Sequence, residues 1–287
     1  MLVLSFQLRI NIKNHIKMDG NDKLQTYFEA NKELWNNKTD IHIKSEFYDN
    51  KGFLAGRNSL NDIELEYLKD IKGKKVLHIQ CHFGQDSISL ARMGAQVTAT
   101  DISDKAIDAA RKFNDDCGTD VTFIETDTYS IGNHVTEKFD IVFMSYGVTC
   151  WLPSIDQLAE LVVERLNPMG RIVCAEFHPM LFTFDFDTDK ISYGYNNVKV
   201  YEEHTEGTYA QDDDNDLRGK EYFWQHSLEE LSMPYIKRGM KLSTFREYYY
   251  SPYNIFDAMQ EVEKGKFVYG DFPYPIPHIY LFEFIKD

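Results

Sequence analysis

The chain has 287 residues, of which 46 are Asp or Glu and 31 are Lys or Arg, so its formal net charge is -15 at neutral pH. A chain of this length can bury roughly three quarters of its unfolded surface, which is enough for one elaborated α/β domain or two smaller ones. Because phosphate contacts depend on Lys and Arg, the acidic balance argues against nucleic acid or an anionic membrane as a partner, and it does not repel a cationic ligand.

The cysteine pattern indicates the redox environment. Cys81, Cys117, Cys150 and Cys174 lie far apart in the sequence and include no C-x-x-C pair. Such spacing is typical of reduced thiols in a cytosolic protein, and it favours neither a disulfide framework nor a zinc site. We therefore expect a cytoplasmic protein without a bound metal.

The first eighteen residues, M-L-V-L-S-F-Q-L-R-I-N-I-K-N-H-I-K-M, begin with an apolar run. Polar residues interrupt this run early and no small-residue cleavage site follows, so a signal peptide is not predicted. No stretch of the chain approaches the roughly 18 to 20 apolar residues that a membrane span requires. Because the α/β pattern starts only later, we predict that translation naturally begins at Met18, and we expect no membrane partner.

Two helices are predicted before the first buried strand. Leu24–Trp35 has apolar residues at helical spacing, and Asp62–Lys69 is the second predicted helix, with a loop-like segment between them. Residues 1–70 are therefore predicted to form an N-terminal extension and a helical cap.

A strand–turn–helix–strand unit follows. Val76–Ile79 reads as a buried strand, the next turn ends at Gly84, and the helix predicted over Asp86–Met93 leads to a second buried strand, Val97–Thr100. Asp101 ends that strand. This order is the layout of a nucleotide-binding βαβ unit, in which backbone N–H groups of the turn face the ligand and the acid accepts hydrogen bonds from a ribose.

The glycine count in the turn limits the ligand. A dinucleotide site brings three glycines close to a pyrophosphate. Here Gln80 and His82 stand where small residues would be needed, and Gly84 alone remains. The turn therefore argues against NAD, whereas the spacing between the turn and Asp101 still fits a ribose ligand.

The segment V-L-H-I-Q-C-H-F-G resembles the first motif of the class I S-adenosylmethionine-dependent methyltransferases, V-L-D-x-G-C-G-x-G. Within that superfamily it is similar to a bacterial subgroup that carries Q-C-H-F-G followed by Asp-Ser or Asp-Thr. His78 replaces an acid that contacts the cofactor's amino group in the family, so this contact is not transferred to His78. The resemblance implies S-adenosyl-L-methionine as the cofactor and S-adenosyl-L-homocysteine as the product.

The alternation of helices and strands continues after this unit. The predicted elements are the helix Asp104–Asn114, the strands Val121–Glu125 and Phe139–Met144, the helix Ile155–Leu166, a break at 167–170 and the strand Arg171–Glu176. Such alternation indicates a parallel sheet with right-handed crossovers, whose ligand lies at the carboxyl ends of the strands.

The residues that we expect to bind the cofactor fall at those strand ends. They are Gln80, Cys81, His82, Gly84, Asp101, Ile102, Asp127, Thr128, Ser145 and Tyr146. Asp101 is expected to bind the ribose; the alternative is an acid that merely ends a strand. The family places an acid against the adenine amino group where this chain has Asp127, although Glu125 lies close by in sequence.

The sequence pattern changes after Pro179. Residues from about 178 to 238 are rich in aromatic and acidic side chains, and Leu242–Tyr250 and His278–Ile285 read as two further strands. Calcium loops need a regular alternation of ligands and a glycine turn, so the acidic run at 211–216 is better explained as a solvated loop.

The resemblance sets the expected architecture of the whole chain. It implies a doubly wound, mostly parallel seven-stranded α/β sheet over 71–287, with an antiparallel last strand. The segment about 178–238 is then an inserted lid, and it is expected to contribute to an acceptor site for a small molecule. In this family the N-terminal segment closes over the cofactor, so Tyr48, Phe53 and Arg57 are candidates for pocket contacts; the alternative is a helical cap with surface aromatics.

The implied reaction is in-line transfer of the sulfonium methyl group, which depends mainly on positioning and on the exclusion of water. A base is needed only if the acceptor loses a proton. Glu176 and His178 follow the fifth strand and are candidate catalytic bases; the alternative is that their hydrogen bonds anchor the lid. Two other functions remain open, a non-catalytic S-adenosylmethionine-binding sensor or scaffold and, with less support, an NAD-dependent oxidoreductase.

Overall fold

The computed structural model describes residues 21–185, 188, 190–210, 217–256, 258–270 and 272–287. Met18, where we predict that translation begins, and the acidic run at 211–216 lie outside the described residues. No helix in the described ranges is both long and apolar enough to cross a lipid bilayer.

The helices are α1 (Asn21–His42), α2 (Asn50–Leu54), α3 (Asp62–Leu65), α4 (Gln85–Arg92), α5 (Asp104–Cys117), α6 (Ile131–His134), α7 (Ile155–Arg165) and α8 (Leu228–Lys237). The first strands are β1 (Lys75–Ile79), β2 (Gln96–Asp101), β3 (Val121–Glu125), β4 (Phe139–Ser145), β5 (Leu166–Phe177), β6 (Phe184–Asp185) and β7 (Lys190–Ile191). The later strands are β8 (Tyr201–Glu206), β9 (Arg218–Phe223), β10 (Met240–Tyr248), β11 (Met259–Glu263), β12 (Lys266–Tyr269) and β13 (Ile279–Lys286).

Within the described residues, seven strands form the central sheet in the order β10-β13-β5-β4-β1-β2-β3. β1 runs parallel to β2 and β4, β3 runs parallel to β2, and β5 runs parallel to β4. β13 is antiparallel to both of its neighbours, β5 and β10. The doubly wound, mostly parallel sheet with an antiparallel last strand is therefore confirmed.

Apolar side chains cover both faces of the sheet because successive strand residues point to opposite sides. Leu77 of β1 belongs to the cluster that includes Leu158 of α7, whereas Val76 belongs to the cluster that includes Ile88 of α4 and Ile107 of α5. All five side chains are fully buried. The parallel strands are thus held between two helical layers, and their carboxyl ends meet at one edge.

Several element bounds differ from the predicted ones. The helix predicted over Asp62–Lys69 ends at Leu65, and the strand predicted from Arg171 begins at Leu166. The predicted break persists inside β5, since Phe139 pairs with Leu166 and the next paired residue on β4 is Ile141, opposite Arg171. The helix α2 and the hairpin β11–β12 have no counterpart in the prediction.

The N-terminal helix lies against the hairpin β8–β9. Asn31 of α1 donates from Nδ2 to the carbonyl oxygen of Tyr222 at 2.8 Å, and its Oδ1 accepts from the Tyr222 N–H at 2.8 Å. Gly219 of β9 lies close to Leu34 of α1, where an added Cβ would come within 2.7 Å of Leu34 Cδ1. The helix and the hairpin therefore form one continuous cover above the carboxyl ends of the strands.

Candidate active site

A cavity of about 760 Å³ lies between the carboxyl edge of the sheet and the cover formed by α1 and the hairpin β8–β9. Ligand pockets in proteins commonly have volumes of roughly 300–1,000 Å³. The structure brings together all ten predicted cofactor residues on the wall of this cavity: Gln80, Cys81, His82, Gly84, Asp101, Ile102, Asp127, Thr128, Ser145 and Tyr146.

The turn after β1 has left-handed backbone at alternate residues. The φ angles are 58° at Gln80, 50° at His82 and 83° at Gly84. A Cβ at Gly84 would lie 2.6 Å from Phe123 Cζ and 2.9 Å from Ala110 Cβ, so only glycine fits there. The turn thus keeps a glycine-like conformation at Gln80 and His82, although left-handed backbone is costly for these residues.

Asp101 holds this turn in place. Its Oδ2 accepts a hydrogen bond from the His82 N–H at 2.8 Å, and its Oδ1 accepts one from the Ser103 N–H at 2.9 Å. Burial raises the pKa of Asp101 to about 6, although these N–H groups oppose the shift. Each carboxylate oxygen can accept a second hydrogen bond, so Asp101 can still bind ligand hydroxyls.

Asp127 has a local structural role at the end of β3. Its Oδ1 accepts from the N–H groups of Tyr129 at 3.0 Å and Ser130 at 3.1 Å, so it caps the 3₁₀ turn Thr128–Ser130. Gln80 donates from Nε2 to Thr128 Oγ1 at 3.2 Å. The turns after β1 and β3 are thereby joined along one side of the cavity.

A polar group that the sequence did not indicate lines the cavity beside β4. Asp86 accepts from Ser59 Oγ at 2.6 Å and from Ser145 Oγ at 3.3 Å. Burial raises its pKa, and these two hydrogen bonds oppose the shift. The available signal was the Asp-Ser pair that follows Q-C-H-F-G.

His78 lies next to this group and lines the same cavity. Its Nδ1 is joined to Ser87 Oγ by a hydrogen bond of 2.8 Å, and its buried Nε2 has no partner among the described residues. Burial lowers the pKa of His78 to about 3, so the ring is neutral at physiological pH. A neutral imidazole therefore occupies the position at which the resembling family carries a carboxylate.

Glu176 and His178 lie in the protein interior and do not line the cavity. The Glu176 carboxylate accepts from the N–H groups of Gly147, Val148, Thr149 and Phe177, while His178 Nε2 is hydrogen bonded to Glu247 Oε1 at 3.0 Å. Both side chains are buried, and neither belongs to the described residues that line the cavity. The structure therefore does not place these two candidate bases on the cavity wall, and their hydrogen bonds are of the kind expected from the anchoring alternative.

Glu64 of α3 does not line the cavity itself but is hydrogen bonded to a residue that does. Tyr146, with a φ of 44°, lines the cavity and donates from Oη to Glu64 Oε2 at 2.7 Å. Glu64 is fully buried, and its Oε1 accepts from the Asn61 N–H at 2.7 Å. Burial raises the pKa of Glu64 to about 7, and repulsion from the nearby Asp86 carboxylate contributes to this rise. Sequence reasoning assigned no role to Glu64, which falls within the helix predicted over Asp62–Lys69, because no local pattern reports its burial.

The cap residues behave differently from one another. Tyr48 and Arg57 line the cavity, whereas Phe53 is buried in the core and packs under the Arg92 guanidinium. Tyr48 Oη is joined to Tyr209 Oη at 2.7 Å, so the cap contacts the segment after the hairpin strand β8. The predicted pocket contact is therefore wrong for Phe53, whose side chain points away from the cavity.

His42 connects three parts of the cavity cover. Its Nδ1 is joined to His82 Nε2 at 2.9 Å, and its Nε2 is joined to Thr208 Oγ1 at 2.7 Å. Burial lowers the pKa of His42 to about 2 and that of His82 to about 3. Both rings are neutral, and they link the turn after β1 to α1 and to the segment that follows β8.

The half of the cavity beyond β4 and β5 has aromatic walls. The residues concerned are Tyr146, Phe177, Phe182, Phe184, Phe223, Tyr253 and Phe256. In the part of the chain that the structure describes, no group of three or more His, Cys, Asp or Glu residues is arranged to hold a metal ion. These rings offer a surface for an apolar or aromatic body, and the side chains of Asp185 and Glu203 line the same cavity.

Comparison with known proteins identifies relatives of the segment that forms the floor of the cavity. Residues 77–172 match the family described as "Methyltransferase domain". Ubiquinone biosynthesis O-methyltransferase of Proteus mirabilis is 32% identical over 142 residues, which cover 45% of this chain and 54% of that protein. The enzyme of the same name from Shewanella pealeana is 31% identical over 139 residues, or 45% of this chain and 56% of that protein. The chain thus spans about half the length of the curated relatives it matches.

Solved structures extend the likeness to most of the chain. A Listeria monocytogenes protein assigned as an S-adenosylmethionine-dependent methyltransferase is 19% identical, with a TM-score of 0.54 over 78% of this chain and 98% of that one. An S-adenosylmethionine-dependent methyltransferase from Clostridium acetobutylicum is 13% identical, with a TM-score of 0.53 over 78% of this chain and 88% of that one. At these identities the likeness concerns architecture. The chain has the Rossmann-like fold of these methyltransferases.

Proposed function

We propose that this protein is an S-adenosyl-L-methionine-dependent methyltransferase that acts on a small-molecule acceptor and releases S-adenosyl-L-homocysteine. The observation that carries the proposal is the half-buried Asp101 carboxylate, which accepts a hydrogen bond from the His82 N–H of a left-handed turn at the edge of the cavity. The family match over 77–172 covers this turn and Asp101, and it supports the same conclusion.

The cavity offers groups for each part of the cofactor. Asp101 would accept the ribose hydroxyls, and Ile102 and Thr128 would lie along the adenosine. Asp127 is the family's adenine acid, and its Oδ1 already caps a turn, so we assign it a contact through its other oxygen. These assignments agree with the rule that ligands of open α/β sheets bind at the carboxyl ends of the strands.

At the methionine end we assign the cofactor's ammonium group to Asp86. His78 is neutral and cannot replace the family's acid, whereas the Asp86 carboxylate lines the same cavity and bonds to Ser145. An ammonium group would offset the cost of burying this carboxylate. Arg57 lines the cavity near Asp86 and is our candidate for the cofactor's carboxylate.

The bound cofactor would supply an electrophilic methyl group on a sulfonium centre. The protein would hold the acceptor in line with that methyl group and exclude water, and positioning of this kind is worth up to roughly 7 to 11 kcal/mol. Aromatic faces near a sulfonium add attraction of about 0.5 to 2 kcal/mol each. The aromatic wall around Tyr146 and Phe177 supplies such faces.

We assign the chain to the methyltransferase subgroup with Q-C-H-F-G in its first motif, supported by the Asp-Ser pair at 86–87 and by the role proposed for Asp86. We divide it into a cap over 1–70 and a methyltransferase domain over 71–287, with an inserted lid at about 178–238. The reduced cysteines of the described chain support a cytoplasmic location.

One alternative is a non-catalytic protein that binds the cofactor as a sensor or scaffold. The departures at His78, Gln80 and His82 favour it, because they change three positions of the first motif. An NAD-dependent oxidoreductase has less support, since Gln80 and His82 occupy the positions at which the backbone would have to approach a pyrophosphate.

Calorimetry on the purified full chain tests the cofactor, with S-adenosylhomocysteine, S-adenosylmethionine and NAD as separate titrants. We expect both adenosyl ligands to bind and NAD not to bind; failure of both adenosyl ligands would overturn the proposal. Transfer of labelled methyl groups to a panel of hydroxylated, amine and thiol compounds then tests catalysis. Tight adenosyl binding without transfer to any compound would favour the sensor or scaffold.

A further inference from the structure

The contact between Tyr146 and Glu64 spans the boundary between the cavity and the protein interior. Tyr146 follows β4 and lines the cavity, while Glu64 lies on α3 and is fully buried behind it. The Tyr146 hydroxyl donates to Glu64 Oε2 at 2.7 Å. A carboxylate is thus connected to the cavity through one phenol group.

The partners of Glu64 within the described chain are neutral. Asn61 donates to Oε1 from its backbone N–H at 2.7 Å and from Nδ2 at 3.1 Å, and Tyr146 donates to Oε2. A buried carboxylate without a basic partner is costly, and Glu64 offsets part of that cost in the capping box of α3. Groups with strongly shifted proton affinity cluster at functional sites. The left-handed backbone of Tyr146 is a second cost at the same place, and such strain clusters at functional sites.

The surroundings of Tyr146 indicate what the hydroxyl would meet. Its ring contacts Phe177 at 5.7 Å and Tyr253 at 5.1 Å between centroids, and Phe182 contacts Phe177 at 5.9 Å. These rings form the aromatic half of the cavity. The Tyr146 side chain therefore lies where this aromatic wall meets the residues proposed to hold the methyl donor.

We propose that Tyr146 accepts the proton of the methyl acceptor and passes its own phenol proton to Glu64, which makes the acceptor a hydroxyl compound with an apolar or aromatic body. This inference rests on the proposed methyltransferase function. Tyr146 is then the catalytic residue, and Glu64 acts through it.

The acceptor oxygen forms a bond to the methyl carbon, and the carbon–sulfur bond breaks with its electron pair going to sulfur. The acceptor proton moves to Tyr146 Oη while the phenol proton moves to Glu64 Oε2. The sulfonium loses its positive charge and the Glu64 carboxylate loses its negative charge, so the net charge of the site is unchanged. After the product leaves, Glu64 returns the proton through the Tyr146 hydroxyl to water in the cavity.

Several titratable groups face Glu64. They are Asp86 of α4, Tyr146 after β4, and Tyr250 and Tyr253 of the segment after β10. Burial and Asp86 raise the pKa of Glu64 to about 7, whereas the pKa values of Tyr146 and Tyr253 lie well above 10. Near neutral pH, Glu64 therefore changes its protonation state, whereas the Tyr146 and Tyr253 hydroxyls stay protonated.

The test compares Tyr146→Phe and Glu64→Gln with the wild-type chain. Tyr146 is also a predicted cofactor residue, but phenylalanine keeps its ring on the cavity wall, and Glu64 does not line the cavity. We therefore expect both variants to bind S-adenosylhomocysteine within about threefold of wild type. With the hydroxyl compound that wild type methylates fastest, we expect kcat to fall about 10²- to 10⁴-fold. The rise of wild-type kcat/KM with pH through about 7 should be absent from Glu64→Gln. Tyr280→Phe, a fully buried tyrosine outside the cavity, is the matched control and should keep full activity.

Infrared titration provides a readout that needs no acceptor. Wild type should show a carboxyl band that titrates near pH 7, and Glu64→Gln should lack it. Absence of that band in wild type, retention of kcat within threefold in Tyr146→Phe, or a pH limb that persists in Glu64→Gln would overturn the proposal. Failure of wild type to bind any adenosyl ligand would instead overturn the proposed function.

Discussion

The Glu176 carboxylate accepts a hydrogen bond from the Val148 backbone N–H at 2.6 Å, and the same oxygen accepts from the Thr149 N–H at 3.1 Å. Its other oxygen accepts from Gly147 and from Phe177. Glu176 therefore fixes the chain that leaves β4 immediately after Tyr146, whose own N–H donates to the carbonyl oxygen of Ala175 at 2.8 Å. Glu176, which the sequence predicts as a candidate base, thus positions the loop that follows Tyr146.

Glu176→Gln should lower the free energy of unfolding by about 2 to 4 kcal/mol. The amide would place an N–H₂ group against backbone N–H donors and leave some of them unpaired in the interior. Urea unfolding measures the loss, and Glu137→Gln, which alters an exposed ion pair with Lys75, is the control. A change below 0.5 kcal/mol would show that the loop does not depend on this carboxylate.

The left-handed backbone at Gln80 leads to a second prediction. Glycine is usually less stabilising than alanine by roughly 0.5 to 1 kcal/mol, but alanine in left-handed backbone costs about 1 to 2 kcal/mol. We therefore expect Gln80→Gly to be at least as stable as Gln80→Ala in chemical denaturation. At Gln96, an exposed β2 residue with ordinary backbone, glycine should be the less stable of the two. The same order at both positions would contradict a strained turn.

The sheet and many of the residues that line the cavity could be predicted from the sequence because they depend on local patterns. Buried strands alternate with amphipathic helices, and the carboxyl end of each parallel strand must meet the same edge. Asp101 and Thr128 were found in this way, since their positions depend on strand ends rather than on side-chain contacts. The hairpin β11–β12 was missed because its outer residues are mostly polar and exposed.

The partner contacts of the site could not be predicted. Tyr146 and Glu64 are 82 residues apart in sequence, and Ser145 and Asp86 are 59 apart. Such pairs form only when α3 and α4 pack against the strand ends, and no local pattern reports that packing. Burial of Glu176 was unpredictable for the same reason, because its partners are backbone N–H groups, which every residue type except proline carries.

The pairing of Asn31 with the backbone of Tyr222 should control the opening of the cavity cover. Asn31→Ala would leave both backbone groups of Tyr222 without this partner, at a cost of about 1 to 3 kcal/mol. We expect hydrogen exchange of β8 and β9 to accelerate roughly 10-fold or more, while β1 and β4 stay unchanged. Gln25→Ala, which removes an exposed α1 side chain bonded to Glu29, is the control. Equal exchange in both variants would show that the helix does not hold the hairpin.

Asp101→Ala should weaken binding of S-adenosylhomocysteine by roughly 10- to 150-fold. A charged acceptor of ligand hydroxyls contributes about 1.5 to 3 kcal/mol, and its removal also frees the His82 N–H that shapes the turn. Calorimetry measures the affinity, after circular dichroism has established that the variant is folded. Asp108→Asn, an exposed α5 residue paired with Arg111, should bind as wild type does. Unchanged affinity in folded Asp101→Ala would remove the ribose assignment.

Glu64 should make the stability of the protein depend on pH. Its pKa is raised from 4.5 to about 7 by burial, so between these values the folded chain binds a proton that the unfolded chain has released. The contribution of Glu64 is therefore fully present below about pH 4.5 and is lost as pH rises through about 7, with a total of about 3 kcal/mol. Asp101, Asp86 and Glu176 also have raised pKa values, so wild type must be compared with Glu64→Gln, in which those groups remain. Urea unfolding at several pH values measures the free energy of unfolding, which should fall in wild type relative to Glu64→Gln between pH 5 and 8. Parallel curves for the two proteins would show that Glu64 does not titrate in this range.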